Sequence, residues 1–195
     1  MFSKALLFVV AIACFLAIAS CQGSTCPDDS ICVPDFDLSQ FLGVWYEIST
    51  SPTSRLTFEH NCTCTYATYS LNDDGTIEVV NRCNHGDAYG ELETFNGTAI
   101  ANPDLPSEIE VSFGGPYGPY WVVINDDYEN ICVWSCSELD GFIFPYMWIL
   151  SRSPTMDTAT YQSLTSKAEE ITGWDTSKLI LTDQSNCDYI LSDDQ

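Results

Sequence analysis

From Asp35 to about Arg152 short apolar runs alternate with dense turn punctuation. Val44–Ser49 is a β-rich run built on Trp45, Tyr46 and Ile48. Thr65–Leu71 and Thr76–Arg82 flank Asn72-Asp73-Asp74-Gly75, a hairpin signal with Asp-Gly at its tip. In the second arm Ile77, Val79 and Asn81 alternate with Glu78 and Arg82, so one face is buried. Glu108–Phe113 alternates more cleanly still. Tyr120–Ile124, Ile131–Cys136 and Tyr146–Arg152 complete the main set, with weaker runs at Glu91–Phe95 and Thr98–Ile100. Strands at such regular spacing predict a sandwich or a closed barrel.

The period then changes. Pro154 and Thr155 are expected to open a helix that carries Met156, Tyr161, Leu164, Ala168 and Ile171 on one face, and Gly173 to close it. A short strand, Leu179–Thr182, leads to Cys187, and no internal repeat or low-complexity linker interrupts the chain. About eight antiparallel strands and one C-terminal helix predict an all-β, up-and-down barrel with the helix packed outside. Such a barrel is just wide enough to hold one small molecule. If Tyr120 points inward, Val122 and Ile124 do as well; if Trp148 does, so do Tyr146, Leu150 and Arg152. These side chains would form apolar walls with a few polar handles, or else fill a solid core.

The amino terminus adds a compartment. Lys4 precedes an unbroken apolar run, Ala5–Ala19, followed by small residues. Residues 1–21 read as a secretory signal peptide with cleavage between 19 and 23, too short to span a bilayer. Residues 22–40 then form an N-terminal segment, 41–187 the barrel domain and 188–195 an acidic tail. Ile18-Ala19-Ser20-Cys21 also reads as a bacterial lipoprotein box. Eight further cysteines and two glycosylation sequons, at Asn61 and Asn96, favour a secreted, extracellular protein without stable membrane insertion.

Composition narrows the partners. Of 195 residues, 28 are acidic and 6 basic, a net charge of −22, so nucleic acid and anionic surfaces are excluded as partners. With 45% hydrophobic and 13% aromatic residues the chain is nonetheless a folded domain. The acidic residues are expected mainly in turns, tails and outward strand positions such as Glu78, Glu108 and Glu110. Asp28-Asp29, Asp73-Asp74, Asp126-Asp127 and Asp193-Asp194 raise the alternative of an acidic structural protein that associates with Ca²⁺, although none has EF-hand spacing. Cys26, Cys32, Cys62, Cys64, Cys83, Cys132, Cys136 and Cys187 form an even set, read as a disulfide framework. His60 and His85 lie near cysteines, but neither C-x2-C nor H-x3-H occurs, so no metal site is assigned. No catalytic motif is present, and no cofactor is required; a thiol-dependent isomerase would need an unpaired, low-pKa cysteine.

Three motifs bring in a family. Gly43-x-Trp45, Asp127-Tyr128 and Arg152 resemble, in order, the three signatures of the lipocalins, although Asp126 replaces the usual Thr of the second. Thr25-Cys26-Pro27, Pro119-Tyr120-Trp121 and Asp183–Cys187 are similar to segments of the apolipoprotein D branch, which includes the crustacyanins. The resemblance makes Gly43, Trp45, Asp127 and Arg152 structural, with Arg152 lying on the Trp45 ring. It pairs Cys26 with Cys136 and Cys64 with Cys187. The hairpin brings Cys83 opposite Cys62, which leaves Cys32 with Cys132; the third bridge of crustacyanin-like chains cannot carry over, because this helix has no cysteine.

By the same resemblance Tyr69, Asn81, Tyr120 and Trp148 correspond to ligand contacts, with Val79, Val111, Phe113 and Leu150 as apolar wall. The implied function is a binding and transport protein rather than an enzyme. Its ligand would be a small hydrophobic molecule: a carotenoid or bilin chromophore, a retinoid, a steroid, a fatty acid or another lipid. The acidity tilts this away from fatty acids unless a base such as Arg82 assists. A homo- or hetero-dimer is left open.

Overall fold

The computed structural model describes residues 26–140 and 142–190. The signal segment, the Asp193-Asp194 pair and the end of the acidic tail lie outside the described residues. Eight strands form the barrel: β1 Gly43–Thr50, β2 Cys62–Leu71, β3 Ile77–His85, β4 Leu92–Ala101, β5 Glu108–Ser112, β6 Gly118–Asp126, β7 Asn130–Leu139 and β8 Phe142–Ser151. A two-residue β9, Ile180–Leu181, joins the edge of β1. Each strand pairs antiparallel with the next, and β1 closes the sheet by pairing with both β8 and β2. The expected eight-stranded up-and-down barrel is the observed fold. Closure satisfies the backbone groups that an open edge would expose.

β1 does this by serving two neighbours in turn. Gly43–Tyr46 pairs with β2, Tyr46–Thr50 pairs with β8, and β9 takes the edge at Ser49 and Thr50 that β2 has left. The runs expected at 91–95 and 98–100 are one strand, β4, paired continuously with β3 from Ala99 to Leu92. Gly97 does not break it, because Gly97 leaves room for the Phe113 ring, which would lie 2.8 Å from an added Cβ.

Two hairpins fix one end of the barrel. Between β2 and β3, Gly75 takes φ +86° and Asp74 accepts the Thr76 N–H at 3.0 Å, as the Asp-Gly signal predicts. Between β6 and β7, Asp127 (φ 48°) and Tyr128 (φ 58°) are both left-handed, the pattern of a turn whose twist matches the strands it joins. The Asn125 side chain caps this turn by accepting the Tyr128 N–H at 2.9 Å.

The protein has two apolar layers. One fills the barrel and includes Phe41, Trp45, Ile77, Ile109 and Val122. The other lies between the outer wall and α3, Thr158–Thr172. The helix begins later than Pro154 suggested, because the Asp157 side chain caps it, accepting from the Ala159 and Thr160 N–H groups at 3.0 Å. Gly173, at φ 68°, ends it as expected. Leu164 and Ala168 are buried on its inner face, with Met156, Tyr161 and Ile171 packed beside them. Ile124 also belongs to this outer layer, not to the interior: a register shift between Val122 and Ile124 reverses the alternation.

Disulfides join Cys26 to Cys136, Cys62 to Cys83 and Cys64 to Cys187. The expected Cys32–Cys132 bridge is absent, and among the described residues both are free, buried thiols. Cys132 points outward into the layer beneath α3. Cys32 is held elsewhere, since Val33 donates to Val122 O at 3.0 Å and Ser107 Oγ donates to Val33 O at 2.6 Å, beside Glu108.

Candidate ligand-binding site

The barrel has a sealed end. α1, Leu38–Phe41, is capped by Asp37 and lies across it, burying Phe41 against Trp45. Trp45 donates from Nε1 to Phe41 O at 2.7 Å. Arg152 places its guanidinium 3.7 Å from the centroid of the Trp45 ring. Its nitrogens donate to Gln40 O at 2.6 Å, Val44 O at 2.7 Å, Leu42 O at 3.0 Å, and Phe41 O and Tyr128 O at 3.2 Å. Gly43 turns the chain at φ +97°, a conformation that disfavours other residues. Gly43, Trp45 and Arg152 therefore make a floor and its fastening, while Asp127 sits in the left-handed turn between β6 and β7.

Above the floor lies a cavity of about 290 Å³, open at the far end of the barrel. All eight residues singled out in the sequence as ligand contacts or wall line it: Tyr69, Val79, Asn81, Val111, Phe113, Tyr120, Trp148 and Leu150. Strand alternation delivers seven of them, and Phe113 follows one residue past the end of β5. The Tyr69 and Tyr120 hydroxyls share a hydrogen bond at 2.6 Å, and burial pushes both phenols above their ordinary range. Val79 and Leu150 are buried wall, whereas Phe113 is half exposed at the mouth. Trp148 stacks on Tyr146 at 6.0 Å and stands 5.6 Å from Tyr120. Phe58 completes this aromatic group, 5.6 Å from Tyr146 and 6.2 Å from Trp148.

The sequence missed a charged cluster behind the same wall. Glu47 is only 2% exposed, although the acidic side chains were expected outside. It follows Trp45 by two residues on β1, so strand parity could have found it. Arg55, on α2, Pro52–Leu56, donates to Glu47 Oε1 at 2.8 Å, to Thr182 Oγ1 at 2.7 Å and to Cys62 O at 3.0 Å. Thr182 also donates to Glu47. Glu59, in the connection from α2 to β2, accepts from Trp148 Nε1 at 2.8 Å on one oxygen, while its buried Oε2 has no partner. Burial, and then the charge of Glu47, hold the Glu59 carboxyl well above the usual carboxylate range. Burial also raises Glu47, with Arg55 opposing.

Arg82, the base offered for an anionic ligand, does not line the cavity; it lies over Tyr66, 5.9 Å from the ring centroid. Cys62, Cys83 and Glu93 converge, but the two sulfurs are bonded to each other and are not thiolate ligands. The acidic pairs serve turns: Asp28 accepts from Ser30 N–H, Asp74 from Thr76 N–H, and Asp126 from the Asn130 amide. Asn61 and Asn96 are both exposed.

A family model described as a lipocalin-like domain matches residues 36–184. The chain belongs to the lipocalin family. Within it, mouse apolipoprotein D is 36% identical over 194 residues, covering 93% of this chain and 96% of that protein. The outer membrane lipoprotein Blc of Escherichia coli is 35% identical over 181 residues, covering 91% and 96%. Among solved structures, insecticyanin from the tobacco hornworm Manduca sexta superposes with a TM-score of 0.67 at 27% identity, covering 83% of this chain and 87% of that one. These relatives place this lipocalin in the apolipoprotein D branch. The family binds small hydrophobic molecules in the barrel.

Proposed function

We propose that this lipocalin is a secreted carrier that holds one small lipophilic molecule between the Trp45 floor and the Trp148 mouth. The observation that carries this reading is the cavity itself: closed below by Arg152 and Trp45, walled by aromatic and aliphatic side chains, and open above. At about 290 Å³ it lies just below the usual range for small-molecule pockets, roughly 300–1,000 Å³. A retinoid- or steroid-sized ligand is favoured over a long carotenoid, which would project from the mouth. Tyr69, Asn81, Tyr120 and Trp148 are the proposed contacts, with ring surface from Trp148 and Tyr120 and orienting hydrogen bonds from Asn81 and the phenols.

Binding is preferred to catalysis on the chemistry of the two free thiols. Neither Cys32 nor Cys132 lines the cavity, and burial, then the charges of Glu108 and Asp29, push the Cys32 thiol up to about 12. Burial raises Cys132 as well. Both are poor nucleophiles at neutral pH. Glycosylation at Asn61 and Asn96 belongs to the secreted reading.

Extraction and mass spectrometry of protein from its native source should recover one lipophilic compound in near-equimolar amount. Rebinding that compound should quench tryptophan fluorescence with saturation at one per chain. Recovery of no lipophile, together with no saturable quenching, would overturn the carrier reading. Visible absorbance in the native protein would make the ligand a pigment.

A further inference from the structure

We propose that the cavity mouth recognises the ammonium head of a lipophilic amine, with Glu59 as counter-charge and Phe58, Tyr146 and Trp148 as the surrounding aromatic faces. This rests on the carrier reading and names its ligand class.

The first ground is the charge on the lining. Among the described residues that line the cavity, Glu47 and Glu59 are the only acidic or basic side chains. A ligand carboxylate would meet two acids and no base. The two glutamates are not equivalent. Glu47 is compensated, because Arg55 donates to it at 2.8 Å and spends its remaining bonds on Cys62 O and Thr182. Glu59 receives one neutral N–H, from Trp148, and its buried second oxygen makes no hydrogen bond of normal geometry, with Glu47 and Thr50 as its other polar neighbours. Arg55 also attracts Glu59, but burial and the charge of Glu47 outweigh it, so an ionised carboxylate in that position is left short of compensation.

The second ground is independent of charge. The side chain of Glu59 is bonded to the edge of a ring that belongs to a cluster: Phe58, Tyr146 and Trp148 lie within 6.2 Å of one another, with Phe58 half exposed at the entrance. Aromatic faces attract ammonium groups through the ring quadrupole, most strongly where water is excluded. A neutral alcohol can bond to the protonated acid but gains little from the rings. An ammonium ion displaces that proton and is held by the carboxylate and the rings together. The net charge of −22 further concentrates cations around the protein. The titratable or charged groups facing Glu59 are Glu47 on β1, Arg55 on α2 and Tyr120 on β6. The bound amine therefore takes the place of the proton that burial otherwise keeps on Glu59.

The test is a head-group series on the folded, secreted chain at neutral pH: n-decylamine, n-decanol and n-decanoate, followed by tryptophan quenching. Decylamine should bind about tenfold more tightly than decanol and about 100-fold more tightly than decanoate. In Glu59→Gln the ratio of amine to alcohol affinity should fall to near parity, with near-ultraviolet circular dichroism confirming an intact fold. Decanoate binding as well as the amine would overturn the proposal, and so would a preference that survives Glu59→Gln. If all three bind alike, the ammonium site fails and the carrier reading stands. If none binds, the ammonium site fails, and the carrier reading is decided separately by extraction from the native source.

Discussion

Two tryptophans, one at each end of the barrel, stand beside a charge, and the two charges are treated in opposite ways. At the floor, Arg152 lies flat on Trp45 and donates to five main-chain carbonyls. At the mouth, Glu59 meets the N–H edge of Trp148 and leaves an oxygen unpaired. A half-buried charge bonded to five main-chain carbonyls is part of the fold, because removing it leaves those partners unpaired. A buried charge left short of partners is a cost that the fold alone does not explain. The contrast separates the residues that build the barrel from those that use it.

The largest effect is expected at the floor. Arg152→Ala strips the donor from the carbonyls of Gln40, Phe41, Leu42, Val44 and Tyr128, at about 1–3 kcal/mol for each that stays buried and unpaired. Some will find water, so a loss of about 4 kcal/mol is expected, read as a lower urea midpoint at unchanged m-value. Arg152→Lys should recover less than half of this, since an ammonium cannot reproduce the planar fork or its stacking. A loss below about 1 kcal/mol for the alanine variant would show the floor to be held by packing alone.

Next comes the strap behind the mouth. Cys64–Cys187 closes a separation of 123 residues and anchors the segment whose Gln184 donates to Glu47 O at 2.7 Å and to Thr65 O at 2.8 Å. Replacing both cysteines by alanine should cost about 3 kcal/mol. It should also weaken ligand binding, because the strand carrying Glu47 loses its outer support. Lost stability with unchanged affinity would confine the strap to the fold. A smaller effect, about tenfold or roughly 1.4 kcal/mol in ligand affinity, is expected for Trp148→Ala, which removes the ring that Phe58, Tyr120 and Tyr146 surround. Unchanged affinity there would place the ligand deeper, against Tyr69.

The same contrast explains what could be read in the sequence. Strand alternation has a period of two, so a single inward residue fixes its neighbours; seven of the eight proposed lining residues reach the cavity in this way, and Phe113 continues the alternation one residue past β5. It failed where one residue was inserted: the register shift before Ile124 sends that side chain beneath the helix. Pairing Cys32 with Cys132 failed for another reason. The pair was reached by elimination, and elimination carries no information about direction; Cys132 faces outward while Cys32 is tied beside Val122 and Ser107. The helix start was misplaced because Pro154 is an acceptable opener, but Asp157 offers the bonds that the first turn needs. Glu59 left no trace at all. It sits in a connection, where no periodicity operates, and its importance comes from contacts with residues far along the chain.

The smallest effect is the most diagnostic, and it runs opposite in sign to the floor. Burial and the neighbouring Glu47 raise the Glu59 carboxyl above its unfolded value of about 4.3. The folded state therefore binds the proton more tightly than the unfolded state does. The stability this provides is complete below the unfolded value and is lost as the pH rises through the raised one. Wild-type protein should accordingly lose stability between about pH 4.5 and neutrality from this group. Glu59→Gln keeps the shape of the acid form and can never ionise, so its stability should be flatter over the same interval. At pH 7.5 the variant should exceed wild type by on the order of 1 kcal/mol, shrinking to parity near pH 4.5. Urea midpoints at the two pH values decide it. Parallel profiles would mean that Glu59 is ionised at no cost in the empty barrel, and hence that it has a partner already. A ligand that removes the difference at pH 7.5 by binding wild type alone would show that its charge is what the mouth lacks.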